Sequence, residues 1–282
     1  MSIKLIIDSA SDINEKEAQE LGITLIPMEI NFGATQYLDG VNLLPQEFYE
    51  KLIESNVLPK TSQINAYRWQ EAFTEALKDN DEVVVITISS KLSGTYNSAC
   101  NASKEFGGKV HVIDSLNACI GERLLALYAL QLIDNKLTAS EIEKELNEKK
   151  HKINVMAVLG TLEYLKKGGR ISSATAIAGK ILAIKPVVGV IDGEVKLIGK
   201  AMGSKNGNNL LNKIVQEKNG IDFNMPYGTI WSGLDKTMLE KYVAESSDLW
   251  QNETDNIPSY ILGATIGTHI GPGAVGVAFF EK

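Results

Sequence analysis

Val83-Val84-Val85-Ile86-Thr87-Ile88 runs straight into Ser89-Ser90-Lys91-Leu92-Ser93-Gly94-Thr95 and then into a segment carrying Tyr96, Ala99 and Phe106. A short β-branched run with no polar alternation is the pattern of a strand buried on both faces. The small hydroxyl and glycine residues that follow mark a loop, and the next segment has helical spacing. The pattern recurs: 5–8 (Leu5-Ile6-Ile7-Asp8), 23–32 and 110–114 are further buried strands by the same reasoning. Helices are expected between them. Pro45 suits a first helical turn ahead of Phe48 and Leu52. Asn65 is placed to cap a helix with Trp69, Phe73 and Leu77 on one face, and Thr138 with Glu141 forms a capping box before Ile142 and Leu146. Strand–helix alternation of this kind predicts an α/β protein whose first half is a mostly parallel sheet with helices on both faces.

The second half has a different rhythm. A strand is expected over 154–160, a helix over about 173–184, and a hairpin formed by 186–191 and 195–198 around Asp192-Gly193. Two more strands are expected at 260–267 and 274–280, joined through Gly271-Pro272-Gly273. Hairpins with segregated helices predict an α+β domain built on a mixed or antiparallel sheet. The expected organisation is therefore an N-terminal α/β domain over 1–150, a C-terminal α+β domain over 151–282, and a ligand site between them.

Composition narrows the function classes. The chain has 282 residues, 44% hydrophobic and 22% charged, with a net charge of −7. This is globular composition, and the acidic balance argues against bulk attraction to nucleic acid or anionic lipid. Two cysteines, Cys100 and Cys119, are too few for a disulfide framework, and three scattered histidines form no metal-ligand pattern. The N-terminus enters a strand directly and lacks the apolar core of a signal peptide, and 174–191 carries Lys180, Lys185 and Pro186. A cytoplasmic protein without stable membrane insertion is expected.

Four segments carry candidate chemistry: Lys60-Thr61-Ser62-Gln63, the Ser89–Thr95 loop, Asp114-Ser115, and Thr268-His269-Ile270-Gly271-Pro272-Gly273. In an open α/β sheet, ligands bind beyond the carboxyl ends of the strands. A helix beginning near Ser93-Gly94-Thr95 would offer free N–H groups and a partial positive charge to an anion. Asp8 and Asp114 either serve such a site or simply cap loops. His269 is either a structural residue or a donor to a carboxylate. The chain contains no G-x-S-x-G nucleophile elbow, P-loop or G-x-G-x-x-G. After Gly168-Gly169-Arg170, the small and branched residues Ala174, Ile177, Ala178 and Ile181 suit either a core or the wall of a channel for a chain-like ligand.

These residues also resemble a known family. Ile6-Ile7-Asp8-Ser9-Ala10-Ser11-Asp12, Lys60-Thr61-Ser62-Gln63, Leu92-Ser93-Gly94-Thr95-Tyr96 and Val112-Ile113-Asp114-Ser115 resemble motifs of the DegV family. So do 162–172 (from Leu162-Glu163-Tyr164 through Gly168-Gly169-Arg170), Lys185-Pro186 followed by Asp192-Gly193, and 268–274. The motifs fall in the family's order along nearly the whole chain. The resemblance implies a non-catalytic lipid carrier: a bacterial fatty-acid-binding subunit that presents the carboxylate of palmitate, stearate, oleate or a similar acid to a separate ATP-dependent fatty acid kinase. The acyl-phosphate formed there feeds phospholipid synthesis. It implies no cofactor and no metal. By the same resemblance Thr61, Ser62, Ser93, Gly94 and His269 hold the carboxylate, the helix bearing Ala174, Ile177, Ala178 and Ile181 covers the tail, and Arg170 meets the kinase. One position departs: where many members have an arginine-bearing basic run, this chain reads Gly199-Lys200-Ala201-Met202-Gly203-Ser204-Lys205. Either Lys200 or Lys205 compensates, or the head group is held with less charge. A serine hydrolase built from Ser93, His269 and Asp114, or a lipid-sensing regulatory module, are the competing readings.

Overall fold

The alternation read in the first half folds as expected into a four-stranded, wholly parallel sheet. A computed structural model describes residues 2–171, 184–251 and 254–282. In chain order the first half comprises β1 (Ile3–Asp8), α1 (Glu15–Glu20), β2 (Thr24–Ile26), β3 (Glu29–Phe32), β4 (Thr35–Leu38), α2 (Pro45–Glu54), β5 (Lys60–Ser62), α3 (Ala66–Asp79), β6 (Glu82–Thr87), α4 (Thr95–Ser103), β7 (Val110–Asp114), α5 (Ile120–Asp134) and α6 (Ala139–Lys149). The parallel sheet has the order β2-β1-β6-β7. Val83, Val84, Val85 and Ile86 are fully buried, because helices cover both faces of the sheet. The expected helix starts are present: Pro45 opens α2, the Asn65 side chain accepts from the Arg68 N–H, and Thr138 and Glu141 cap each other's backbone.

The strand expected over 23–32 is two strands. The chain breaks after Ile26 at Pro27, which has no N–H to continue a ladder, and β3 joins a separate three-stranded antiparallel sheet of order β4-β3-β5. This small sheet carries Thr61.

The second half comprises β8 (Ile153–Val158), α7 (Glu163–Gly168), β9 (Ile184–Ile191), β10 (Glu194–Met202), α8 (Ser204–Gln216), β11 (Tyr227–Trp231), α9 (Thr237–Glu245), β12 (Ser259–Ile261), α10 (Ala264–Ile270) and β13 (Val275–Phe280). Its six-stranded sheet has the order β10-β9-β8-β13-β11-β12 and is antiparallel except for the β11–β12 pair. The expected hairpin is β9–β10, turned by Asp192 and Gly193 at φ +54° and +81°, the left-handed pair that a two-residue hairpin requires.

A second expectation is overturned. The stretch 260–267 is not a continuous strand: β12 stops at Ile261, and α10 begins at Ala264. His269 therefore lies on a helix, not in a loop between strands. The β-rich composition of Tyr260-Ile261-Leu262 and Thr265-Ile266 is outweighed by hydrogen bonds that the N–H groups at the helix start donate to distant carboxylates, set out below. Ala174, Ile177, Ala178 and Ile181 lie outside the described residues. Among the described residues, no helix is long and apolar enough to cross a membrane.

Candidate functional site

A cavity lies where the two halves of the chain meet. Most of its wall is aliphatic. Ile88 and Ala118 come from the parallel-sheet half, Val155, Val188 and Ile230 from the six-stranded sheet, and Ile266 from α10. Thr61, Ser62, Ser93, Gly94, Arg170 and His269 also border it, so the structure brings together every head-group and partner residue expected from the sequence.

Each polar residue reaches the cavity for a local reason. Thr61 sits on β5, paired with Ile30 of β3, and its hydroxyl lies 3.0 Å from His269 Nε2. Ser62 hydroxyl accepts from Asn31 Nδ2 at 3.5 Å, so its side chain is partly engaged within the small sheet. Ser93 follows the carboxyl end of β6. Its hydroxyl is 2.9 Å from Thr95 Oγ1 and accepts from the Thr95 N–H at 3.3 Å. Gly94 precedes the first turn of α4 and provides no side-chain cap, and the Gln63 side chain packs against its Cα. Ser93 thus engages the first N–H of α4, and the positive end of that helix dipole lies next to the two cavity-bordering residues Ser93 and Gly94.

Arg170 follows α7 and is exposed. Its Nη1 donates to the Gly168 carbonyl at 2.6 Å and its Nε to the Leu92 carbonyl at 3.3 Å. The guanidinium is thereby tied to the Ser93 loop on one side and to the end of α7 on the other. Gly168 itself lies against His269: a Cβ there would collide with the imidazole Nδ1. Thr61, His269, Gly168, Arg170, Leu92 and Ser93 form one continuous rim.

Electrostatics follow from burial. Desolvation, reinforced by the Arg170 charge, pushes His269 down to about 4, so the ring is neutral at physiological pH. Its Nδ1 is buried and has no hydrogen-bond partner among the described residues. A neutral ring with Nε2 at Thr61 can donate from, or accept at, that nitrogen, depending on the tautomer.

The other candidates fall outside the rim. Asp114 Oδ1 accepts from the Ser90 and Leu116 N–H groups, and Asp8 accepts from those of Ala10 and Ile88. Both carboxylates are loop caps. The order Ser to His to Asp that a hydrolase needs is not formed among the described residues: Ser93 faces Thr95, His269 faces Thr61, and Asp114 faces backbone. Among the described residues, no group of three or more His, Cys, Asp or Glu side chains is placed to hold a metal ion.

Comparison with known proteins decides the family. The sequence model described as "Uncharacterised protein, DegV family" matches residues 2–282. The chain belongs to the DegV family. A DegV domain-containing protein of Caldanaerobacter subterraneus subsp. tengcongensis is 35% identical over 284 residues, covering 99% of each chain. Among solved structures, a DegV family protein from Thermus thermophilus, described by its fatty acid binding, matches with a TM-score of 0.88 at 30% identity over 100% of both chains. DegV from Bacillus subtilis, described as a fatty acid binding protein, matches with a TM-score of 0.84 at 28% identity, again over 100% of both.

Sequence reasoning missed several parts of this DegV site. Gly168 as the neighbour of His269 carries no signal beyond a glycine pair. Gly189, which interrupts the β-branched run of β9 and borders the cavity, was detectable, because glycine inside a strand marks a close approach. Met202, at the end of β10, is more than half exposed.

Proposed function

We propose that this DegV chain binds one long-chain fatty acid, with the tail in the aliphatic cavity and the carboxylate at Thr61, Ser93 and His269. It then presents that carboxylate to a separate ATP-dependent fatty acid kinase. The observation that carries the reading is the convergence of hydroxyl and imidazole groups on the rim of an otherwise apolar cavity. Burying about fourteen methylenes at ~0.8 kcal/mol each gives roughly 11 kcal/mol of gross driving force, reduced by the cost of ordering the chain. The carboxylate would receive donors from Ser93, from Thr61 or His269, and from the first turn of α4, each charge-assisted bond worth ~1.5–3 kcal/mol. The relatives from Thermus thermophilus and Bacillus subtilis, described as binding fatty acids, support the same reading.

In the transfer step a carboxylate oxygen attacks the γ-phosphorus of ATP held by the kinase, ADP leaves, and the acyl-phosphate remains on this chain. Its consumption in phospholipid synthesis is part of the proposal. Ser62 and Gly94 border the same cavity and complete the set of residues that hold the carboxylate. Arg170, exposed and tethered beside the rim, would meet the incoming kinase and its phosphates, and a guanidinium can do so bidentately. The test is reconstitution of the lipid-loaded chain with a purified bacterial fatty acid kinase and ATP, trapping acyl-phosphate with hydroxylamine. Arg170→Ala is expected to retain its fatty acid but yield far less hydroxamate. Loss of lipid in that variant, or undiminished hydroxamate, contradicts the assignment.

A further inference from the structure

His269 needs a fixed position to meet both Thr61 and a ligand, yet it rides on a helix of seven residues. A helix that short has no stability of its own, because one or two turns do not repay nucleation. Nor is α10 capped locally: Gly263 precedes it and has no side chain to cap the first turn. The cap comes instead from the opposite half of the chain.

Asp39, fully buried just after β4, accepts from the Ala264 N–H through Oδ1 at 2.9 Å and from the Thr265 N–H through Oδ2 at 3.1 Å. Asp12 Oδ1 accepts from the Gly263 N–H at 2.7 Å. Both carboxylates approach because residue 263 is glycine: a Cβ there would sit 3.2 Å from Asp12 Oδ1 and 3.2 Å from Asp39 Oδ1, a tight fit. The Tyr49 hydroxyl adds a bond to the Leu262 carbonyl at 3.1 Å. Three N-terminal-half side chains thus fix the start of α10, and the last turn of the same helix delivers His269 to Thr61.

We propose that Asp39, supported by Asp12, is a positioning residue for the head-group site: by gripping the first turn of α10 it sets the placement of His269 against Thr61 and the ligand carboxylate. This rests on the fatty-acid reading given above. Asp39 does not border the cavity, and its effect passes entirely through the helix. Asp39→Asn keeps the shape but turns one acceptor into an N–H donor that faces another N–H.

The readout that separates positioning from general damage is the preference for a free acid over its methyl ester, because the ester shares the tail and lacks the anion. Dissociation constants of oleate and methyl oleate are measured for the delipidated full-length protein, for Asp39→Asn, and for Leu146→Ala, a core substitution in α6, as a control. Wild type and control are expected to favour the acid. In Asp39→Asn the acid-over-ester ratio is expected to fall about tenfold while ester affinity stays within about twofold. Should Asp39→Asn fail to fold, Asp12→Gly decides by the same ratio, since glycine suits the φ of +59° at that position. An unchanged ratio, or equal losses for acid and ester, overturns the positioning role. Wild type without an acid preference overturns the fatty-acid reading and this inference with it.

Discussion

Thr61 Oγ1 and His269 Nε2 lie 3.0 Å apart although 208 residues separate them in the chain. One is on a short antiparallel strand of the N-terminal half and the other on a helix of the C-terminal half, so the pair forms only when the two halves are correctly packed. That contact makes the site a reporter of the whole fold. It also means that each partner's removal leaves the other's polar atom half-buried and unsatisfied.

Thr61→Val keeps the β-branched shape and removes the hydroxyl. Ser93→Ala likewise removes the hydroxyl just before α4. With each donor worth ~1.5–3 kcal/mol to a buried carboxylate, either change is expected to weaken fatty-acid binding by roughly ten- to a hundredfold. Competition against a fluorescent fatty acid measures this. Affinities within about twofold of wild type for both variants contradict the assignment.

Binding should take up a proton. Without ligand, burial and Arg170 hold His269 at about 4, so the ring is neutral near pH 6. A carboxylate placed beside it favours the charged ring and raises that value. Between about pH 4 and the raised value, the complex binds more protons than the free protein, so affinity is expected to strengthen as pH falls from 7.5 to 5.5. Calorimetry in buffers of different ionisation enthalpy reports the proton directly, and His269→Gln should abolish it. A wild-type affinity independent of pH contradicts this.

Gly168→Ala tests whether His269 must keep its place for binding. Gly168 has no left-handed backbone to preserve, and as the last residue of the six-residue helix α7 it gains little from the helix propensity of alanine. The added methyl collides with His269 Nδ1 and displaces the ring. Tm is expected to fall modestly, since overpacking typically costs about 1–3 kcal/mol, and affinity for the acid to fall by about fivefold or more. Unchanged affinity argues that His269 does not touch the ligand.

Asp8 predicts a pH dependence of stability. Burial pushes its carboxyl up to about 7 from 3.8, against the pull of its bonds from the Ile88 and Ala10 N–H groups. Between about pH 4 and 7 the folded chain therefore retains a proton that the unfolded chain releases, and the Asp8 contribution falls as pH rises. One proton corresponds to a slope of about 1.4 kcal/mol per pH unit. Urea unfolding of Asp8→Asn across that window should show a shallower decline than wild type by up to about that amount. Parallel profiles would show that Asp8 is not the group titrating.

Local chemistry explains how much was legible in the sequence. Val83 to Ile86 declares a buried strand by its side chains alone, Asn65 and Thr138 announce helix starts through their own oxygens, and Asp192-Gly193 carries the positive φ values of its hairpin. The head-group candidates were legible because Thr61, Ser93 and His269 lie in small-residue segments beside apolar strands. What failed was α10. Its cap is supplied by Asp39 and Asp12, more than 220 residues away, and nothing near Gly263 encodes it. The three-stranded sheet escaped for a similar reason, since β3, β4 and β5 are each three or four residues long and gain their order only by pairing with one another. The short strand β11 and helix α8 were also missed: α8 buries Gly207, Leu211 and Val215 at spacings of four, but its asparagines are weak helix formers that disguise that face.

The central claim is that the cavity holds a fatty acid. Native mass spectrometry of the purified full-length protein, followed by solvent extraction and lipid analysis, tests it most directly. The account predicts one long-chain fatty acid per chain, lost on delipidation and restored by adding oleate or palmitate. A chain that carries no fatty acid when purified, and that gains no mass from either acid after delipidation, contradicts it.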